Sequence, residues 1–359
     1  MKINKNKLSI IKPFYIILFV VAFHFSCNDD NPSKSNLIYE LDTNSRYEWS
    51  YDNLENSKML DIYMADSSNI FLTGYPNPLY YDGTNYIDLN LNDAEFFPTS
   101  LEGYDKQNVY IGGGLSGKQT AILKKIQGKS IKSYEIPDRP AGRIEDILIH
   151  SENEVYLATD NSFVYKLSSG FFTKYNVMED SWWGMFYKDK FNDLYFINDV
   201  FPSKNNNFYY KDYYKLISDS FNLVMRDTVC MFCESDYSLF RCGEDLLKVN
   251  NEISYFSDLK WIKICDTRLV TGEKLLPIKI AGKSKDYFVC YSSSVNSPGI
   301  DGIFIWNGKW SWEKNLSQNW PERGTGGGIE LKDKRIAFVI YRESPMLSQS
   351  STVIKGILK

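Results

Sequence analysis

Apolar and polar positions along the chain alternate in short runs, and one pattern recurs: a polar turn, then an apolar-aromatic-apolar triplet. Asp66-Ser-Ser-Asn69 precedes Ile70-Phe71-Leu72, and Asp105-Lys-Gln-Asn108 precedes Val109-Tyr110-Ile111. Ser151-Glu-Asn-Glu154 precedes Val155-Tyr156-Leu157, and Asp189-Lys-Phe-Asn-Asp193 precedes Leu194-Tyr195-Phe196. Weaker copies stand at Ser238-Leu239-Phe240, Tyr287-Phe288-Val289 and Ile336-Ala337-Phe338. The triplet centres lie 39 to 49 residues apart, which makes seven units, with six or eight as the neighbouring counts.

Each unit carries an alternating run ahead of its triplet, such as Met59-Leu-Asp-Ile-Tyr-Met64 or Ile144-Glu-Asp-Ile-Leu-Ile149, and two further runs behind it. Period-two alternation over four to eight residues is the signature of strands, and no long helical period competes with it. Asp82-Gly83 and Asn307-Gly308 read as two-residue hairpin turns, where both central residues need φ > 0. Four strands per unit of 40 to 45 residues is the arithmetic of an all-β fold, a β-propeller of seven four-stranded blades. The seventh unit supplies three strands and no fourth. The run at residues 47–54, Tyr47-Glu-Trp-Ser-Tyr-Asp-Asn-Leu54, reads as the missing outermost strand of the last blade, closing the ring and defining one domain over residues 46–359.

The first thirty residues change the picture of where this domain lives. They are Lys-rich up to Lys12 and apolar from Phe14 to Phe25, a run too short to span a bilayer, and they end in Ser26-Cys27-Asn28-Asp29-Asp30. The segment resembles a Gram-negative bacterial lipoprotein signal, although His24 and Phe25 depart from the usual Leu and small residue. The resemblance implies a cleaved signal at residues 1–26, a lipid on Cys27, a polar tether over 27–45 and anchoring in the outer membrane. Asn28-Asp29-Asp30 is similar to the acidic stretch that some such lipoproteins use to reach the cell surface; a periplasm-facing position is the alternative. The propeller units in turn resemble those of bacterial surface and sensor propellers, a likeness that stops at the fold.

Composition narrows the chemistry. The formal charge of −4 becomes −8 once the four lysines before Cys27 are removed, which excludes a basic nucleic-acid surface. Of two histidines only His150 follows Cys27, so three-His zinc sites are excluded and no metal or cofactor is called for. Cys230 and Cys233 have ligand-like spacing, but i and i+3 on a strand face opposite ways; a disulfide among Cys230, Cys233 and Cys242 suits an oxidising compartment, with Cys265 and Cys290 as buried thiols. Gly112-Gly-Gly-Leu-Ser-Gly-Lys-Gln119 lacks the Ser/Thr of a phosphate loop and reads as a glycine-rich connection between strands two and three, as Gly324 to Gly328 reads as a flexible entry to the last blade.

What remains is geometric. In a four-stranded blade the second-to-third and blade-to-blade loops open on one face. Here they are the long ones, at 197–207, 260–276, 290–301, 317–327 and 342–350, while the opposite turns read as short and polar. This long-loop face gathers Trp182, Trp183, Trp320, Tyr75, Arg143, Arg226 and Arg323 as candidate ligand-binding residues, because aromatic rings beside Arg suit sugar or peptide recognition. The reading is a non-enzymatic binding module for a glycan or an envelope protein. The alternatives are a scaffold subunit of an outer-membrane complex and a carbohydrate-active enzyme with paired carboxylates at the channel mouth.

Overall fold

A computed structural model describes residues 44–359 apart from 92–94, 139–140, 162, 176, 178–180, 202–207, 231–236, 269–274, 276, 293–301, 314–323 and 343–349. Seven antiparallel sheets of four strands succeed one another as blades, and no helix occurs among the described residues. Blade one is β2 (Lys58–Asp66), β3 (Asn69–Tyr75), β4 (Leu79–Tyr81) and β5 (Tyr86–Asp88). Blade two is β6 (Phe96–Asp105), β7 (Asn108–Leu115), β8 (Lys118–Gln127) and β9 (Ser130–Glu135). Blade three is β10 (Ile144–Ser151), β11 (Glu154–Thr159), β12 (Val164–Ser168) and β13 (Phe171–Tyr175). Blade four is β14 (Ser181–Lys188), β15 (Leu194–Val200), β16 (Phe208–Ile217) and β17 (Ser220–Cys230). Blade five is β18 (Ser238–Cys242), β19 (Asp245–Val249), β20 (Glu252–Ser257) and β21 (Lys260–Asp266). Blade six is β22 (Pro277–Ser284), β23 (Tyr287–Ser292), β24 (Gly302–Trp306) and β25 (Trp310–Trp312). Blade seven joins β26 (Gly324–Lys332), β27 (Arg335–Arg342) and β28 (Ser350–Leu358) to β1 (Tyr47–Glu55) from the other end of the chain.

The triplets are second strands. Both faces of a second strand pack against neighbouring blades, so it reads as a continuous apolar run: β11 and β23 are buried at every position after the first. The outermost strands β9 and β13 face solvent at alternate positions or more. Between blades three and four, Leu148, Tyr156, Ala158, Phe186 and Phe196 form one such interface. Blade five departs from the expectation: Leu239 and Phe240 lie on the innermost strand β18, and its second strand is β19, with Leu246 and Leu247 in place of an aromatic centre.

Several turns differ from their reading. Three of the polar turns before the triplets are carboxylate-capped: Asp66 Oδ1 accepts from Ser68 N (2.8 Å) and Asn69 Nδ2 (2.8 Å), Asp105 Oδ1 from Gln107 N (2.7 Å) and Asn108 Nδ2 (3.1 Å), and Asp189 Oδ1 from Phe191 N and Asp193 N (both 2.9 Å). The loops holding Asp82-Gly83 and Asn307-Gly308 are four and three residues long, and in each only the glycine has positive φ. Two-residue turns with both φ positive occur instead at Ser169-Gly170, Ser218-Asp219 and Asp258-Leu259. Gly112 to Gly114 is no loop; it lies in β7, where a Cβ on Gly113 would stand 2.2 Å from the Phe97 carbonyl oxygen. Gly324 to Gly328 likewise belongs to β26. The long loops shrink as strands run into them, β15 to Val200 and β21 over Lys260–Asp266.

Ring closure has its own chemistry. β1 pairs with β28 over nine residues, from Tyr47 opposite Leu358 to Glu55 opposite Ser350. Just past β25, the fully buried Glu313 accepts hydrogen bonds from Ser45 Oγ (2.6 Å), Arg46 N (2.9 Å) and Trp49 Nε1 (3.1 Å). The end of blade six therefore grips the start of β1, and the Tyr47 hydroxyl meets that of Tyr287 at 2.9 Å. Cys230 is in a disulfide, while Cys242, Cys265 and Cys290 are free and buried.

Candidate functional site

The innermost strand of every blade lines an axial channel of about 630 Å³. Six of the seven carry a β-bulge near their start, at Leu60, Thr99, Glu145, Trp182, Ile278 and Gly327-Gly328; β18 has none. A bulge re-aims the side chains beside it, and here it sets polar residues of strands with apolar flanks toward the axis. Asp61, Glu102, Asp146 and Glu330 come from four different blades and face Arg241 of blade five and Lys279 of blade six.

Arg241 is the hub. Its Nη2 lies 3.0 Å from Asp146 Oδ1 and 3.6 Å from Glu102 Oε2, and its Nη1 donates to the Ile147 carbonyl at 3.1 Å. Burial works against its charge, and Asp146, Glu102 and Asp61 more than offset that. One guanidinium cannot satisfy four carboxylates. Burial pushes Glu102 up to about 7 and Glu330 up to about 8, with the negative charges of Glu102 and Asp61 adding to the effect on Glu330. Burial raises Asp61 and Asp146 too, although backbone amides donate to both: Ile62 N to Asp61 Oδ1 at 3.0 Å and Phe186 N to Asp146 Oδ2 at 2.7 Å. The channel thus stores protons on carboxyls that an added cation would ionise. Among the described residues no group of three or more His, Cys, Asp and Glu side chains is placed to hold a metal ion.

Of the seven residues expected on the long-loop face, the side chains of Tyr75, Arg143 and Arg226 are described. Tyr75 ends β3, exposed. Arg143 precedes β10 and pairs with Glu145 and, at 3.4 Å, with Asp160. Arg226 lies on the outer strand β17, its guanidinium bidentate to the buried Asp212 at 2.6 Å and over the Tyr210 ring. Trp182 and Trp183 lie on β14, their side chains outside the described set, and Trp320, Arg323 and Cys27 fall outside the described residues. His150 is the penultimate residue of β10, edge-on to Tyr156, with Nδ1 buried and unpartnered and its pKa lowered by burial. The channel carboxylates went unread in the sequence, although Leu60-Asp61-Ile62 and Ile329-Glu330-Leu331 each set an acid between apolar residues, and Ile144-Glu145-Asp146-Ile147 sets two.

No protein-family model and no curated protein matches the sequence. Solved structures do match by shape. A structure of YCF48 bound to D1 peptide superposes with a TM-score of 0.61 at 9% identity, covering 91% of this chain and 100% of that one. YCF48 from Cyanidioschyzon merolae gives 0.55 at 11% identity, over 86% of this chain and 98% of that one. The GH74 xyloglucanase from Xanthomonas campestris gives 0.55 at 10% identity, over 84% of this chain and 55% of that one. Identities this low establish a shared propeller fold and nothing about activity.

Proposed function

We propose that this protein is a non-enzymatic binding module, held at the cell envelope by a lipid on Cys27, that takes a basic segment of a partner protein into its axial channel. The observation that carries the proposal is the channel lining: six carboxylates, Asp61, Glu102, Glu145, Asp146, Glu244 and Glu330, against three cations, Lys188, Arg241 and Lys279. A Lys or Arg side chain entering there meets carboxylates that the channel's own cations leave unneutralised. Protein is favoured over glycan because, among the described residues, Tyr63 and Phe240 are the aromatic side chains of the lining, and a sugar ring needs flat aromatic surface to stack on. A YCF48 propeller with a bound peptide is a precedent for the fold. The disulfide at Cys230 suits export to an oxidising compartment.

The test is selection of displayed random 12-residue peptides on the immobilised full chain. Enriched peptides carry Lys or Arg, lose about tenfold in affinity when that residue becomes Gln, and bind more tightly as pH rises from 6 to 8, because the cation favours ionised Glu102 and Glu330. Affinity indifferent to the charge sinks the proposal. Radiolabelled palmitate incorporation lost in Cys27→Ser checks the anchor, and protease shaving of intact cells distinguishes surface display from a periplasm-facing position. A second reading, glycoside hydrolysis, rests on Glu102 and Glu330 keeping protons to donate near neutral pH. Reducing ends released from xyloglucan and abolished by Glu102→Gln would establish it in place of the first.

A further inference from the structure

The channel has two ends, and the described side chains distinguish them. The first-to-second and third-to-fourth turns of every blade lie at one end, opposite the long loops. These turns are polar as expected apart from Phe191, 70% exposed, and Leu259, 43% exposed, and the strand ends beside them add the exposed Phe171 (77%), Tyr104 and Ile217. Turn formation does not need them. Leu259 sits at φ +58°, a left-handed conformation that Gly or Asn adopts far more cheaply, and it packs little in return.

Two of these side chains rim a cavity. It has a volume of about 680 Å³, lies at the turn end of blades four to six, and has walls from Tyr187, Tyr195, Tyr255 and Phe256, with Phe191 and Leu259 at its edge and five acids balanced by Lys190, Lys215, Lys283 and Lys285 around them. Glu244, at the β18–β19 turn, lines both this cleft and the axial channel. The acidic chamber and the cleft therefore adjoin at Glu244 on the short-turn face.

We infer that the partner docks on this face: an extended segment of another protein places a Lys or Arg past Glu244 into the channel and lays flanking apolar side chains along the cleft, against Phe191 and Leu259. The inference rests on the channel reading above and adds the face, the path and the apolar half of the recognised sequence. The excess of acids in the channel fixes the basic residue, and Glu244, common to both linings, marks the path between the two cavities.

The experiment titrates the enriched peptides against variants of the full chain. The expected peptides join a basic residue to Leu, Ile or Phe; Glu102→Gln with Glu330→Gln weakens them about tenfold, and Phe191→Ser and Leu259→Asn about fivefold each. Phe97→Ser, at an exposed aromatic on the opposite face, leaves affinity within about twofold. Leu259→Asn relieves a left-handed leucine, so its melting temperature holds or rises and weakened binding there is not unfolding. Peptides that need the channel glutamates but are indifferent to both tip variants overturn the docking inference and leave the channel reading standing. Peptides indifferent to every one of these changes, or no enrichment at all, overturn both.

Discussion

Replacing Glu313 with Ala should unlatch the ring. The carboxylate is fully buried and receives three donors from the segment that begins β1, at 2.6, 2.9 and 3.1 Å. Hydrogen bonds to a charged acceptor contribute about 1.5–3 kcal/mol each, but three donors share two oxygens and Ser45 and Arg46 can turn to water when released. Trp49 Nε1 cannot do so without moving its ring from Tyr47 and Phe338, which it contacts at 5.3 and 6.1 Å between centroids. The net expectation for Glu313→Ala is a loss of about 3–5 kcal/mol, the cost typical of breaking a buried charged arrangement. Glu313→Gln keeps one acceptor and turns an amide toward donors, so it falls between Ala and wild type.

Two measurements check this together. Urea unfolding followed by tryptophan fluorescence gives the stability change, and hydrogen exchange of the β28 amides that face β1 gives its location. Those amides should lose protection in Glu313→Ala, while the β28 amides that face β27 keep theirs. A stability change under about 1 kcal/mol, with β1-facing protection intact, would refute the latch. Tyr47→Phe is the companion variant: it removes only the 2.9 Å contact with Tyr287 and should cost about 1 kcal/mol.

Other expectations follow from the same geometry. Glu102 and Glu330 have folded pKa values above their unfolded ones, so the stability of their protonated forms is full below about pH 4.5 and is lost as pH rises through about 7 and about 8. Glu330→Gln should accordingly match wild type at pH 4 and exceed it by about 1–2 kcal/mol at pH 8.5, the full shift being discounted for solvent in the channel; equal thermal melts at both pH values would remove the argument. Leu259→Gly or Leu259→Asn should stabilise by about 0.5–1 kcal/mol in urea melts, and a loss would mean that Leu259 packs where the structure has it exposed. Gly74→Ala should cost about 2–4 kcal/mol, because its Cβ would stand 2.2 Å from the Lys58 carbonyl oxygen and 2.6 Å from Met59 Cα, backbone atoms that cannot step aside; a neutral result in the same assay contradicts that packing.

The second strands were readable because burial on both faces writes a continuous apolar triplet, and that rule carried the blade count and the closing strand. It failed in blade five, where β19 offers Leu246-Leu247 without an aromatic and the nearby Leu239-Phe240 belongs to β18. Turn chemistry was half readable. Glycine marked where φ would be positive but not how long the loop would be, and no dipeptide rule flags Asp258-Leu259 as a two-residue turn. Arg226 was read on the long-loop face with no strand assigned to it, and it lies on β17, which runs eleven residues.

The channel shows a deeper limit of reading one strand at a time. On β2 alone, Asp61 between Leu60 and Ile62 has the alternation of any half-exposed strand, and nothing local says whether its polar side meets bulk water or an enclosed axis. Only closure makes the difference, since seven inner strands must be held in a ring before Asp61, Glu102, Asp146 and Glu330 share one chamber with Arg241. Blade seven, which carries Glu330, is also the blade that β1 completes and Glu313 secures. Latch and site are then thermodynamically linked: a ligand that binds the closed ring and not the opened one must stabilise β1 against release by the same free energy with which it prefers the closed form. The acidic chamber is a property of the closed ring, and its occupant should protect the very hydrogen bonds at Glu313 that create it.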